Sequence, residues 1–281
     1  MLTWGLNIAA VKALTTRLDE IWVAALRMVV ASLVLAICLL VRDRRLPRLT
    51  GRQLTGLVFA ALLMVYANQL LFSHGLALST ASGASLVMAL SPAMSLLLSA
   101  VLFREPLTGR RLAGLAAGFG GVALVVLSRQ AQAGSSAGFG ELVVLGAMLT
   151  FVGGGAIVQR LAARLDALTI GTVIYVVGTL ALLAHAVVSG ATASFHIGAL
   201  DGWTWALVFY SGVLGTAISN VGWYHAIATV GMARAAVFLI WLPIFGVGFA
   251  VTVLGEPLTR WHLAGLVLVI VGTRLGTAPT R

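Results

Sequence analysis

Glu105-Pro106-Leu107-Thr108, followed by Leu112-Ala113-Gly114-Leu115, recurs 151 residues later as Glu256-Pro257-Leu258-Thr259 and Leu263-Ala264-Gly265-Leu266. The same offset carries Pro92 to Pro243, His74 to His225 and Gly121 to Gly272. Nearer the N-terminus the offset is 147: Met1-Leu2-Thr3, Val11, Leu14, Leu18 and Asp19 correspond to Met148-Leu149-Thr150, Val158, Leu161, Leu165 and Asp166. A drift of four residues is what a difference in loop length gives. Chance similarity between apolar segments supplies matching Leu, Ala and Val. It does not supply a Glu-Pro-Leu-Thr in register with a shared proline and a shared histidine. The chain reads as a duplication, with units at 1–127 and 138–276.

The material duplicated is apolar. Hydrophobic residues are 60% of the 281, charged residues 9%, and the mean hydropathy is +1.05. A soluble domain carries roughly 25% charged residues, so most of this surface is expected to face lipid. Reading apolar stretches against their polar breaks gives ten candidate helices, near 1–16, 20–41, 54–78, 81–103, 109–128, 138–162, 168–189, 202–228, 233–254 and 259–277. The expectation is an all-α polytopic membrane protein, and no break is long enough for a soluble domain. The first span is short, and its match to the sixth suggests one to two further turns upstream of Met1. No cleavable leader is read at the start. The lone Cys38 is read as a packing residue.

A net charge of +10 could suggest nucleic acid, but the basic residues are scattered between apolar stretches. With the N-terminus inside, Arg42, Arg44, Arg45, Arg48, Arg52, Arg104, Arg110, Arg111, Arg160, Arg164, Arg234, Arg274 and Arg281 are cytoplasmic. Lys12, Arg17, Arg27, Arg129 and Arg260 are not. Thirteen against five is the positive-inside pattern, which puts both termini in the cytoplasm and excludes nucleic acid as a partner. Five spans per unit is an odd number, so the second unit must enter the membrane in the opposite sense. Inverted repeats recur in secondary transporters, with the substrate site at the midplane between them.

Polar side chains within the spans are few. The three asparagines, Asn7, Asn68 and Asn220, all lie in apolar segments. An amide in hydrocarbon must be hydrogen-bonded or face water, and bonds between helices contribute about 0.6–2 kcal/mol each, so structural and cavity-lining readings both stand. His74 and His225 lie towards helix ends and serve either interfacial packing or substrate contact. Tyr66, Gln69, Trp223 and Tyr224 accompany them. Ser91-Pro92-Ala93-Met94-Ser95 and Trp241-Leu242-Pro243 mark bent helices beside a path, because proline frees the carbonyl four residues back. Lys12 and Arg27 are placed near the outer face, where snorkelling lowers a burial cost of about 2.5–3.5 kcal/mol, with Asp19 or Glu20 as partners for Arg17 or Arg27; a structural or gating ion-pair role is favoured over substrate binding. No acidic residue falls at mid-membrane, which argues against tight cation coupling and for uncharged or zwitterionic solutes. Gly114-x-x-x-Gly118 and Gly272-x-x-x-Gly276 permit close helix contact or a homo-oligomer. Gly153-Gly154-Gly155 lacks the Lys-Ser/Thr of a phosphate loop, and no cofactor or metal set is read.

Trp4-Gly5-x-Asn7, Lys12, Arg27, the two helix prolines and the two Glu-Pro-Leu-Thr motifs together resemble the EamA-type drug/metabolite transporter superfamily over essentially the whole chain. The resemblance implies a ten-helix transporter, commonly an exporter of amino acids or related metabolites, with a cavity lined by helices 1, 3, 4, 6, 8 and 9. It is nearest the aromatic amino-acid exporter type. Members of that type can carry Trp directly before the helix-four proline, where this chain has Ser91, with Leu242 before Pro243. The substrate-contacting candidates are Trp4, Asn7, Tyr66, Asn68, Gln69, His74, Met88, Ser91, Ser95, Thr150, Asn220, Tyr224, His225 and Trp241, with Pro92 and Pro243 as hinges. The expected partners are a small-molecule substrate and the lipid bilayer, and the expected location is a bacterial inner membrane. The alternative is an intramembrane hydrolase. Its best candidate motif, Gly83-Ala84-Ser85-Leu86, lacks the final glycine of a Gly-x-Ser-Gly site.

Overall fold

The structure, a computed structural model, describes residues 1–42, 49–103, 109–133, 138–191, 196, 198, 200–231, 235 and 237–277. Asp43, Arg44, Arg45, Arg48, Arg104, the first Glu-Pro-Leu-Thr at 105–108, Arg234 and Arg281 lie outside the described residues. The described residues form ten helical spans and no strand. These are α1 (Leu2–Thr15), α2 (Glu20–Val41), α3 (Gly51–Leu78), α4 (Ala81–Met88 and Ser91–Phe103), α5 (Gly109–Ala133), α6 (Phe139–Leu161), α7 (Ala167–Val188), α8 (Gly202–Val230), α9 (Trp241–Leu254) and α10 (Arg260–Thr277). Spans α2, α3, α6, α7 and α8 are each at least 22 residues long and apolar enough to cross a bilayer.

Local chemistry explains most boundaries. Asp19, Asp166 and Asp201 accept backbone N–H bonds at the starts of α2, α7 and α8. Span α3 begins at Gly51 rather than 54 because Thr50 and Gln53 form a reciprocal capping box. Span α5 runs past the expected 128 to Ala133, through Gln-Ala-Gln-Ala, whose residues all favour helix. Span α9 begins later than expected, at Trp241, after a tight 3₁₀ turn over Val237–Ile240.

Packing between spans obeys a pseudo-two-fold axis. Spans α2 and α7, which are repeat partners, pack on each other, and so do α5 and α10. Span α1 packs on α9 as α6 packs on α4, α3 on α6 as α8 on α1, and α3 on α7 as α8 on α2. Large apolar side chains such as Leu33, Ile37, Leu40, Leu180, Val188 and Phe209 stay exposed. That is the outer face of a protein solvated by lipid, with the chain's polar groups turned inward.

Glycines set the closest approaches. A Cβ on Gly272 of α10 would stand 2.5 Å from the Gly114 carbonyl oxygen and 2.6 Å from the Gly118 nitrogen of α5. The glycine faces expected to permit close contact or an oligomer therefore oppose each other within the chain. A second pair of contacts obeys the axis with the sizes exchanged. A Cβ on Gly215 would meet Asn7 Oδ1 at 2.5 Å, and one on Gly154 would collide with Cγ of Met64. Asn7 and Gly154 are repeat partners at offset 147, as are Met64 and Gly215 at 151.

The second Glu-Pro-Leu-Thr locks the chain between spans. The Glu256 carboxylate accepts from the Ala81 nitrogen at 2.7 Å, the Ser82 nitrogen at 3.0 Å and Ser82 Oγ at 2.7 Å. It thus caps the N-terminal end of α4, where orphan N–H groups and the helix dipole favour an anion. Lys12 works at an opposite pole. Its Nζ donates to the carbonyls of Leu76 (2.7 Å) and Ala77 (3.3 Å) in the last turn of α3.

Candidate functional site

Two π-helical turns bring polar residues to the centre of the bundle. They cover Leu62–Ala67 in α3 and Val213–Ile218 in α8, and these are the same positions 151 residues apart. A π turn widens the helix and rotates the residues beyond it, and such turns concentrate at functional sites. Asn68 and Gln69 come directly after the first turn, Ser219 and Asn220 after the second. Gln69 with Asn220 is therefore a repeat match, as is Asn68 with Ser219.

Asn68, Gln69 and Asn220 border a cavity of about 70 Å³, room for about five water molecules. Its wall is largely a set of repeat partners. Trp4 and Phe151 (offset 147) both line it, as do Met64 and Gly215, Gln69 and Asn220, Met88 and Leu239, and Ser91 and Leu242 (offset 151). Asn7, Ile8, Arg27, Asn68, Phe72, Tyr175 and Thr216 complete it. A cavity walled by both members of five repeat pairs lies on the pseudo-two-fold axis. Helices 1, 3, 4, 6, 8 and 9 contribute, joined by α2 through Arg27 and α7 through Tyr175.

At one side the aromatic partners meet. The rings of Trp4 and Phe151 are 6.1 Å apart and nearly perpendicular, and both pack on Trp223, at 5.6 Å and 6.2 Å. Edge-to-face and offset contacts of this kind contribute about 0.5–1.5 kcal/mol beyond burial. Elsewhere the wall carries a polar chain. Arg27 Nε donates to Ser211 Oγ, which donates to Asn7 Oδ1. Arg27 Nη1 donates to Gln69 Oε1 at 3.2 Å, Gln69 Nε2 to Asn68 Oδ1 at 2.8 Å, and Asn68 Nδ2 to the Ala147 carbonyl at 2.7 Å. Asn220 Nδ2 donates to the Thr216 carbonyl at 3.0 Å.

The proline expectation acquires an atomic reason. Pro92 has no N–H for the carbonyl of Met88, four residues back. Ser91 Oγ donates to that carbonyl instead, at 2.5 Å, so a break in α4 at Ala89 and Leu90 leaves the oxygen satisfied while Met88 and Ser91 face the cavity. The turn from 3₁₀ to α-helix before Pro243 lies at the corresponding place in α9. Ser95 is one turn further on, buried and donating to the Ser91 carbonyl at 2.7 Å.

Of the sequence candidates, Trp4, Asn7, Asn68, Gln69, Met88, Ser91 and Asn220 are gathered on the cavity wall. The others lie elsewhere. The Tyr66 hydroxyl pairs with His185 Nδ1 at 3.0 Å on the α3–α7 contact. His74 is exposed and pairs with Glu20 at 2.8 Å, and His225 is exposed. Thr150 donates to the Ala147 carbonyl, the acceptor it shares with Asn68. Tyr224 is 1% exposed, close to Gly171 of α7. Trp241 is 50% exposed and stacks on Phe245, because the α9 helix turns the residue two before its proline away from the axis.

Arg27 corrects the expected placement most sharply. It does not snorkel: it is 1% exposed and on the cavity wall. Asp19 and Glu20 are not its partners, since Asp19 caps α2 and Glu20 pairs with His74. Arg17 instead reaches across to Asp201, at 2.8 Å. Hydrogen bonds from the Thr204 side chain and backbone, helped by Arg17, hold the Asp201 carboxyl down to about 2. Ser85, the nucleophile of the hydrolase alternative, donates to the Ala81 carbonyl at 2.6 Å and lies where a Cβ on Gly246 would fall. Among the described residues no group of three His, Cys, Asp or Glu could hold a metal ion.

Comparison with known proteins points the same way. The description "EamA-like transporter family" matches residues 1–127 and 138–277. A protein of Streptantibioticus cattleyicolor named "Probable terminal-alkyne amino-acid exporter" is 31% identical, over 98% of this chain and 90% of its own. "Uncharacterized transporter YetK" of Bacillus subtilis is 24% identical over 95% of this chain and 81% of its own, and a transporter of Archaeoglobus fulgidus is 24% identical over 96% and 92%. A solved crystal structure superposes with a TM-score of 0.69 at 18% identity, covering 98% of this chain and 92% of that one.

Proposed function

We propose, on the premise that the chain belongs to the EamA-like transporter family, that it exports amino acids or closely related small metabolites across a bacterial inner membrane. Transport runs by alternating access through the central cavity, with both termini cytoplasmic. The observation that carries this reading is the cavity on the pseudo-two-fold axis, walled by repeat pairs and polar on one side. A site shared equally by two inverted units can be opened to either face by the same motion applied to each. The breaks before Pro92 and Pro243 and the π turns of α3 and α8 supply bends at matching positions. Room for about five waters suits a small solute, and the mixed wall suits one with a polar head and an apolar remainder. Asn220 keeps its Oδ1 for an ammonium group, its amide nitrogen being given to Thr216. The relative named as an amino-acid exporter favours the same class.

The test is flux. Purified protein in liposomes is loaded with radiolabelled neutral, aromatic or charged amino acids, and release down the gradient is measured. Flux above protein-free vesicles is expected for at least one neutral member, falling in Asn220→Ala and not in Trp241→Ala. If no amino acid of the panel moves, the substrate assignment fails.

A further inference from the structure

We propose that Arg27 is the carboxylate-binding group of the central cavity, so that the solutes taken there are those carrying a single carboxylate. The proposal rests on reading the cavity as the transport site.

Arg27 is buried, at 1% exposure, and among the described residues it is the one charged group lining the cavity. A guanidinium stays charged and presents five N–H donors in a planar fork that matches a carboxylate. Two of those donors are occupied among the described residues, by Ser211 and Gln69. Both acceptors are neutral, and no described carboxylate forms an ion pair with Arg27. A buried charge held only by neutral groups is incompletely compensated. An anion entering the cavity completes it, with three donors to meet.

The repeat shows that this charge is not a by-product of the fold. The position 147 residues on is Ile174, buried and apolar in α7. Ile174 occupies the matching position of the matching span without a charge. The α2–α7 contact is therefore built without a cation on one side, and Arg27 adds the charge to the polar side of the cavity that Asn7, Asn68 and Gln69 form. A solute bound there has a fixed orientation: carboxylate toward α2 and the rest toward the aromatic and aliphatic wall. One guanidinium with otherwise neutral lining balances one negative charge. That selects a carboxylate over a dianionic phosphate.

The experiment measures binding apart from transport. Wild-type protein in detergent is heated with a neutral L-amino acid, with its N-acetyl derivative, which keeps the carboxylate and loses the ammonium, and with its carboxamide, which does the reverse. Apparent affinities come from the concentration dependence of the thermal shift. The two carboxylates are expected to bind about tenfold tighter than the carboxamide, the difference between a charge-assisted pair and a neutral one. That ratio is expected to fall to near unity in Arg27→Gln and to recover in part in Arg27→Lys, which restores charge without the fork. If Arg27→Gln does not fold, the wild-type ratio decides alone. Equal binding of acid and amide, a ratio that survives in Arg27→Gln, tighter binding of inorganic phosphate, or no shift with any carboxylate overturns the proposal. Acid-selective binding without flux of the same acid in liposomes would leave the Arg27 site standing and remove the transporter reading instead.

Discussion

Substituting Gly272 by alanine adds one methyl group where the backbones of α5 and α10 approach each other closely. The new Cβ would stand 2.5 Å from the Gly114 oxygen, 2.6 Å from the Gly118 nitrogen and 3.0 Å from the Gly118 Cα. All three are backbone atoms, so no side chain can swing aside. Ordinary contact begins at 3.4 Å, so α5 and α10 must part locally by 3.4 less 2.5, or about 0.9 Å. A gap of that size forfeits a quarter to a half of the dispersion well of each atom pair. The helices also meet where a Cβ on Gly121 would stand 2.8 Å from the Gly265 oxygen, so the loss extends along the contact. Overpacking of this kind costs about 1–3 kcal/mol. Taking about 2 kcal/mol and about 2–4 °C for each, the thermal midpoint should fall by about 4–8 °C. The assay is the temperature at which the monodisperse peak of detergent-solubilised protein is lost on size-exclusion. The control is Gly120→Ala, on α5 itself, where a Cβ meets nothing within 4 Å and the change should stay within about 0.5 kcal/mol. A midpoint unchanged in Gly272→Ala, or lowered equally in Gly120→Ala, refutes the α5–α10 glycine contact.

Two further predictions use other parts of the bundle. Glu256→Ala strips the acceptor from Ala81 and Ser82 and should lower stability by about 2–3 kcal/mol. Glu256→Gln, which keeps one acceptor oxygen, should lose roughly half of that, and identical midpoints for wild type and both variants would show that the cap contributes nothing. The Asp201 carboxyl is depressed from an ordinary 3.8 to about 2, so its contribution is present above its unfolded pKa and lost as pH falls through its folded one. The stability difference between wild type and Asp201→Asn should therefore be level above pH 4 and shrink from there towards pH 2, read as paired thermal midpoints. A difference that does not vary with pH would disprove the assignment.

Much of the fold was legible because the signals behind it are long. A span needs about 20 apolar residues, and Glu-Pro-Leu-Thr in register with a proline and a histidine identifies a duplication from a single sequence. The site was only half legible. Asn7, Asn68 and Asn220 were found because an amide in an apolar span has to be accounted for. Arg27 was misplaced because distance from a helix end does not measure depth in the bilayer, and α2 carries it against α8 and α3 instead. His74, His225 and Trp241 stood out through repeat or composition, yet neither signal says which way a side chain faces. Phe72, Phe151 and Tyr175 gave no signal beyond apolar character. The repeat offset would have marked Phe151, as the partner of Trp4.

Hydropathy and repeat spacing are properties of the linear order, so a duplicated chain of apolar helices can be read from the residues alone. Where the polar residues face depends on how the spans pack. The two offsets, 147 and 151, superpose the halves on paper, but the axis between them exists only when α1 meets α9 and α6 meets α4. That crossing turns Gln69 and Asn220 onto one cavity, lets Gly215 admit Asn7 while Gly154 admits Met64, and leaves Arg27 facing a place where its repeat partner is Ile174. The direction of a side chain in a bundle depends on the π turns and close contacts of neighbouring helices, and these are set by packing across the whole molecule.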